Sequence, residues 1–410
     1  MDLKSQLDGS SPLSWLGKDF IQRALGDEDK DSAVEVLSWN VTAANAVGDG
    51  YASDMYRVTV KFQDRQKSHM IVKCHPQGGC REEVVRSISA FEIETGMLTE
   101  MLPAMHRLLE EARPGEFNPL SAKCLYHGSD PIEFIVLEDL RQLGFTLANR
   151  QQGLDLAHCS LALKTLARFH ASSLVLHNHE PSSVECYKKG LIDVGSRKHM
   201  ETLLDNSLLS LEKEVSKWPG WEEYVYKIKK LRRSFFDRLV DLCKRKDGEF
   251  NVLNHGDMWT SNMMFKYSDD VLEDVRLVDF QLSLFASPAI DLQYFLHTCP
   301  SDEVRVQHMD TMIQSYHNEL IRILDILGYP KHAITLQQLM KTFNDYYLYG
   351  VMAATCILPI ALSDAEDNFD FEKHLAVKNC SQEGSTVYSN PRFVKVIKRL
   401  LPLFADKGVM

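Results

Sequence analysis

His255-Gly256-Asp257-Met258-Trp259-Thr260-Ser261-Asn262, followed by Val278-Asp279-Phe280, is the stretch on which the reading of this chain turns. Transfer of a phosphoryl group from a nucleotide needs few parts. A carboxylate must orient the attacking hydroxyl and accept its proton, and hard oxygen ligands must hold Mg²⁺ on the phosphates. An Asp, an Asn after four intervening residues and a second Asp at the end of the next strand supply all three from one loop and a hairpin. Asp257 is the candidate base, and Asn262 and Asp279 are the candidate metal ligands. The plain alternative is a polar loop with an Asp-capped turn and a strand-end Asp.

Such chemistry makes further demands that the sequence can be searched for. Backbone must approach a triphosphate, a Lys on a strand must reach it, and a Glu on a helix must hold that Lys. Val47-Gly48-Asp49-Gly50-Tyr51-Ala52-Ser53 lies between two strand signals, where Gly48 and Gly50 permit close backbone approach and Ser53 closes the loop. A G-x-G turn alone is common in hairpins. Lys73 ends the apolar strand Met70-Ile71-Val72, an unusual place for a solvated charge. On the next helix Glu92 and Glu94 are both within reach; Phe91 and Leu98 put Glu94 near a semi-buried face, which favours it, with Glu92 as the alternative. Glu138, Asp139 and Leu140 sit where an adenine would meet extended backbone between two lobes, a placement that rests on order along the chain.

The remainder of the chain frames these residues. With 410 residues, 44% hydrophobic and 25% charged, it is long enough for two cores. Basic residues number 46 and acidic ones 57, a net charge of −11 that argues against nucleic acid as a partner. Nine scattered cysteines without a CxxC pair point to reduced thiols in the cytoplasm. The N-terminus lacks a signal-peptide pattern, and the apolar run from Tyr349 to Leu362, broken by Gly350, Thr355 and Pro359, is too short to span a membrane. It reads as a buried helix with a bend at its end.

Strand-like alternation over residues 34 to 138 is interrupted by one major helix between Glu82 and Leu109, with Pro103 near its end. After Leu140 helical periods dominate: 154 to 176, 221 to 244, 303 to 327 and 335 to 362. Only Val252–Leu253 and Arg276–Phe280 look extended in this half, and Asp364 to Glu372 reads as a solvated acidic loop. The expected architecture is α+β, with a β-rich N-terminal lobe over residues 1–138 and a larger, mainly helical C-terminal lobe over 139–410.

Taken in order, G-D-G-Y-A-S, I-V-K, F-E-I-E, V-L-E-D-L, L-A-R-F-H-A-S, N-H-G-D-M-W-T-S-N and V-D-F-Q with S-P-A-I-D-L resemble the ecdysteroid kinase-like (CHK kinase-like) family over roughly residues 35 to 345. That family belongs with the choline kinase and aminoglycoside phosphotransferase branch of the protein-kinase-like fold. The resemblance implies a two-lobed kinase that uses ATP and Mg²⁺ to phosphorylate a hydroxyl of a small molecule, an ecdysteroid or a xenobiotic. It also implies Asp257 as catalytic residue, Asn262 and Asp279 on metal, a Lys73–Glu94 ion pair, and Glu138 to Leu140 as hinge. Neither a membrane nor a protein partner is implied.

Other residues read as structural. His170 on a Leu/Ala helix is expected to bond within the core, Asp291 to hold the catalytic loop through backbone N–H groups, and His255 to brace the same loop. Gln281 stands where protein kinases have the Gly of D-F-G, and the short segment to Ser287 leaves no room for a long activation loop. A small acceptor therefore fits better than a protein. The competing readings are a binding protein that keeps the fold without catalysis, and a kinase of cationic acceptors such as choline or aminoglycosides.

Overall fold

Alternation of Val58, Val60 and Phe62 builds the strand that organises the N-terminal sheet. These side chains are buried while most of their neighbours are part-exposed. The computed structural model describes residues 15–25, 36–44, 53–62, 67–330, 333–364, 367, 371–376 and 386–410. After helix α1 (Lys18–Leu25) come strands β1 (Val36–Ala43), β2 (Asp54–Phe62), β3 (Ser68–Cys74), β4 (Cys124–Gly128) and β5 (Phe134–Glu138). They form one antiparallel sheet in the order β1-β2-β3-β5-β4. Phe20 and Ile21 of α1 pack with Val58, Val60, Met70, Val72, Phe134 and Val136 as a small core of their own.

Between β3 and β4 run helices α2 (Gly79–Ser87), α3 (Ala90–Gly96) and α4 (Leu102–Ala112). The expected single helix is broken twice. Ser89 takes a left-handed φ of 53°, which ends α2, and a π-helical turn at Met97–Met101 joins α3 to α4. Pro103 falls in the first turn of α4, where a missing N–H is tolerated, so the helix continues to Ala112 instead of ending there. These helices do not share the small core. Val85, Phe91, Met97, Met105 and Leu109 belong to the large core of the helical half.

Past the sheet come β6 (Phe145–Leu147), α5 (Leu156–His179), α6 (Arg197–Val215), α7 (Glu222–Arg232) and α8 (Phe235–Cys243). The stretch read as one helix over 221 to 244 is thus two, parted at Arg233–Ser234. Strands β7 (Val252–Asn254), β8 (Met263–Ser268), β9 (Val271–Leu277) and β10 (Leu284–Ala286) follow. β7 pairs with β10, while β6, β8 and β9 make a three-stranded sheet. Only a hairpin was expected here; β9 carries Asp274 and Arg276, paired at 3.2 Å, and so shows no clean alternation. The extended run also stops at Leu277, because Asp279 turns into a left-handed conformation.

The chain closes with α9 (Ala289–Thr298), α10 (Asp302–Ile326), α11 (Leu336–Asp345), α12 (Tyr347–Met352), α13 (Leu358–Ala361), α14 (Phe371–Ala376) and α15 (Pro391–Asp406). A π turn at Ala353–Ile357 links α12 to α13, and Pro359 falls in the first turn of α13. The acidic segment is only partly described, and of its described members Asp364 is part-exposed whereas Asp367 is not solvated. Asp367 is buried, and Asp364 accepts from Gln151 Nε2 at 2.9 Å and from Asn390 Nδ2 at 3.2 Å. The architecture is the expected two-lobed α+β arrangement. Among the described residues no helix is long and apolar enough to cross a membrane, and the eight described cysteines are all free.

Candidate active site

Lys73 reaches the inter-lobe cleft because β3 is the central strand of the sheet, bonded on one side to β2 and on the other to β5. Its Nζ lies 2.5 Å from Glu94 Oε2 and 2.7 Å from Asp279 Oδ1. Lys73 is 2% exposed and Glu94 1%, whereas Glu92 is exposed, so the face of α3 selects Glu94. Burial works to lower the Lys73 pKa, and the carboxylates of Asp279 and Glu94 overcome it, holding the ammonium above its usual range. Burial pushes the Glu94 carboxyl upward against the pull of Lys73, and the backbone N–H of Phe280 also donates to it.

The loop between β7 and β8 carries Asp257. Its Oδ2 accepts from Asn262 Nδ2 at 2.8 Å, and its Oδ1 accepts from the Tyr294 hydroxyl at 2.5 Å. Asn262 also donates to the Asp257 carbonyl at 3.0 Å, which closes the loop on itself. Burial first, and the negative charge of Asp279 second, push the Asp257 carboxyl up to about 7, while Tyr294 and Asn262 pull the other way. Tyr294 is 1% exposed and lies on α9, a residue that the sequence reading did not single out. Its partner is far away along the chain, and a Tyr on an apolar helix carries no local signal of its task.

Asp291 holds this loop as expected. Fully buried on α9, it accepts from His255 N at 2.6 Å, Gly256 N at 2.9 Å and His170 Nε2 at 3.1 Å. His170 completes the chain through Nδ1 to the Tyr316 hydroxyl at 2.7 Å. Gly256 has φ 82° and its Cα faces the Leu282 carbonyl so closely that no Cβ fits. His255 Nε2 lies 3.1 Å from the Val278 carbonyl, which only accepts, so this nitrogen carries the proton and Nδ1 accepts from Asp257 N at 3.3 Å. Burial lowers the His255 pKa and keeps the ring neutral, a brace between loop and strand end.

Asp279 adopts φ 69°, a region sparsely used by non-glycine residues, which aims its carboxylate back at the cleft. Its side chain is 28% exposed. The cleft has a volume of about 760 Å³ and is lined by Ser53, Lys73, Glu94, Glu138, Asp139, Leu140, Asp257, Asn262 and Asp279 together. Of the residues named from sequence, Gly48 and Gly50 lie outside the described residues. The hinge side chains have local tasks: Glu138 accepts from Lys123 N at 2.7 Å, and Asp139 binds Arg57 Nε at 2.6 Å and caps the turn after it through Arg141 N. Among the described residues no cluster of three or more His, Cys, Asp or Glu is set to hold a metal by itself.

A sheet-borne Lys held by a helix Glu, facing an Asp/Asn loop and a strand-end Asp across two lobes, is a kinase-like arrangement. The chain belongs to the ecdysteroid kinase-like family, whose model matches residues 47–329. It is 22% identical over 343 residues to the uncharacterized oxidoreductase dhs-27 of Caenorhabditis elegans, covering 79% of this chain and 40% of that protein. The chain thus spans less than half the length of that relative. Among solved structures, a variant of aminoglycoside 2'-phosphotransferase-IIIa in complex with GDP is similar over 82% of this chain and 95% of that one, with 15% identity and a TM-score of 0.38.

Proposed function

We propose that the protein transfers the γ-phosphoryl group of ATP to a hydroxyl of a small apolar molecule. One observation carries this reading: Asp257 lines both the cleft that holds Lys73 and Asp279 and an adjoining apolar chamber. The lobe over residues 1–138 would hold the nucleotide, with Ser53, Gly48 and Gly50 by the phosphates and the backbone of Glu138 to Leu140 against the adenine. The lobe over 139–410 would hold the acceptor.

In this scheme Asp257 orients the acceptor hydroxyl and takes its proton. The oxygen bonds to the γ-phosphorus as the bond to the β,γ-bridging oxygen breaks, and ADP leaves. Lys73, fixed by Glu94, binds phosphate oxygens. Asn262 spends its Nδ2 on Asp257 and keeps its amide oxygen for the metal, beside the Asp279 carboxylate. Mg²⁺ bound there would neutralise charge on the phosphates. A cytoplasmic location belongs to the same proposal and is consistent with the free cysteines.

Two measurements test the proposal. ATP with Mg²⁺ raises the melting temperature if both bind the native state. Asp257→Asn lowers kcat by at least ~10²-fold, the scale of a positioned general base, and keeps that thermal shift. Equal loss of ATP binding and turnover would instead make Asp257 a metal ligand or a brace. A wild-type protein that neither shifts with ATP nor releases ADP with any alcohol sinks the enzyme reading.

A further inference from the structure

Behind Asp257, on the side away from Lys73, lies a chamber of about 130 Å³. Its walls come from four elements distant in sequence: Val84 and Val85 of α2, Met200 and Leu203 of α6, Ile357 and Ile360 around α13, and Leu375 of α14. Asp257, Trp259 and Gln281 line both this chamber and the cleft, so the two spaces adjoin at these residues. Among the described residues that line the chamber the one cation is Arg81, whose Nη2 lies 2.5 Å from Asp54 Oδ1. The walls therefore match a neutral, apolar body with its polar end at Asp257.

Size then decides among neutral acceptors. An apolar cavity of roughly 150 Å³ stays dry and takes up benzene, while drug-sized ligands occupy roughly 300–1,000 Å³. The inner space of the chamber, about 130 Å³, has room for one ring, and its mouth is open. One wall is also pinned. Arg150 Nη1 donates to the carbonyls of Ile360, Ala361 and Ser363 at 2.7, 2.8 and 3.0 Å, which fixes the end of α13 where Ile360 faces the chamber. The π turn at Ala353–Ile357 sets the rotation of Ile357 relative to α12.

We infer that the acceptor is a neutral one-ring phenol or alcohol, its ring in this chamber and its hydroxyl toward Asp257. The inference rests on the kinase reading for the chemistry, in which the acceptor O–H bond is exchanged for O–P, ATP becomes ADP and the proton goes to Asp257. Occupancy of the chamber itself can be read without turnover.

The test uses the full chain and p-cresol as probe. Calorimetry on nucleotide-free protein should show p-cresol binding, and Val84→Phe, which places a ring in the chamber from its part-exposed rim, should weaken it by about 10- to 200-fold. The ATP-dependent thermal shift of that variant should remain. With ATP and Mg²⁺, kcat/KM for p-cresol should exceed that for a four-ring steroid alcohol and for choline. Met200→Ala, a second variant that enlarges the chamber, should move the preference toward 2-naphthol. The inference is overturned if p-cresol does not bind, if the steroid or choline is the better substrate, or if neither variant alters p-cresol binding or preference. Binding of p-cresol that Val84→Phe removes, together with no ADP release from any acceptor, would uphold the chamber and sink the kinase reading alone.

Discussion

Asp257 has donors on both carboxylate oxygens, and each donor comes from a different part of the fold. Asn262 belongs to the same loop, but Tyr294 is anchored in α9 and so ties the orientation of the carboxylate to the helical core. A hydrogen bond to a charged group is worth roughly 1.5–3 kcal/mol. Tyr294→Phe is therefore expected to lower kcat by about ten- to a hundredfold, with the KM for ATP unchanged. Steady-state kinetics on both substrates checks this, and an unchanged kcat would make the phenol a packing group. Lys73 and Glu94 were legible from sequence for a local reason: a charge at the end of an apolar strand and a Glu on the buried face of a helix are anomalies that need partners. Tyr294 was not, because tyrosine in an apolar helix is no anomaly at all.

At the scale of elements, α9 does more than its length of ten residues implies. Through Asp291 it receives two backbone N–H groups of the catalytic loop and the ring of His170 from α5, all fully buried. Removing the acceptor leaves three donors unpaired in a low-dielectric site. Asp291→Ala should destabilise the protein by on the order of 3 kcal/mol or more and abolish turnover. Thermal denaturation decides it; a melting temperature equal to wild type would place the loop's support elsewhere. The sequence announced this role, since an Asp opening a helix after a turn commonly binds backbone. It announced the β8-β9 hairpin but not its pairing with the three-residue β6, nor the break at Ser89, which depends on one left-handed residue. The chamber was out of reach for a related reason: its walls meet only after α2, α6, α13 and α14 have packed.

For the whole molecule, pH acts through buried rings. Burial depresses the pKa of both His297 and His374 to about 4, against an ordinary value of 6.5. The unfolded chain binds these protons near pH 6.5 and the folded chain only near pH 4. Stability from them is thus complete above pH 6.5 and declines as pH falls toward 4, by on the order of 1 to 3 kcal/mol per ring. Over pH 5 to 7 the Asp257 carboxyl, pushed up to about 7, acts in the opposite direction, so the share of a ring is read as a difference between proteins. The urea midpoint of wild type relative to His297→Phe should be lower at pH 5 than at pH 7, and a difference that does not change with pH would mean that the ring is solvated or already paired with charge.

The two cores divide the molecule differently from the two lobes. The sheet and α1 pack chiefly among themselves, with Ile135 of β5 reaching the large helical core, while α3, which carries Glu94, is rooted in that large core. The Lys73–Glu94 bond, with Ile135 beside it in the sheet, consequently joins the small core to the large one. In hydrogen exchange the amides of β1 to β3 should open as one cooperative unit at lower free energy than those of α5 and α10. Lys73→Met should speed exchange in the sheet and leave the helices protected. Uniform exchange across both bodies would show that they unfold as one. On the proposed function, a molecule built this way would admit and release nucleotide by breathing along a seam, without loosening the chamber proposed for the acceptor.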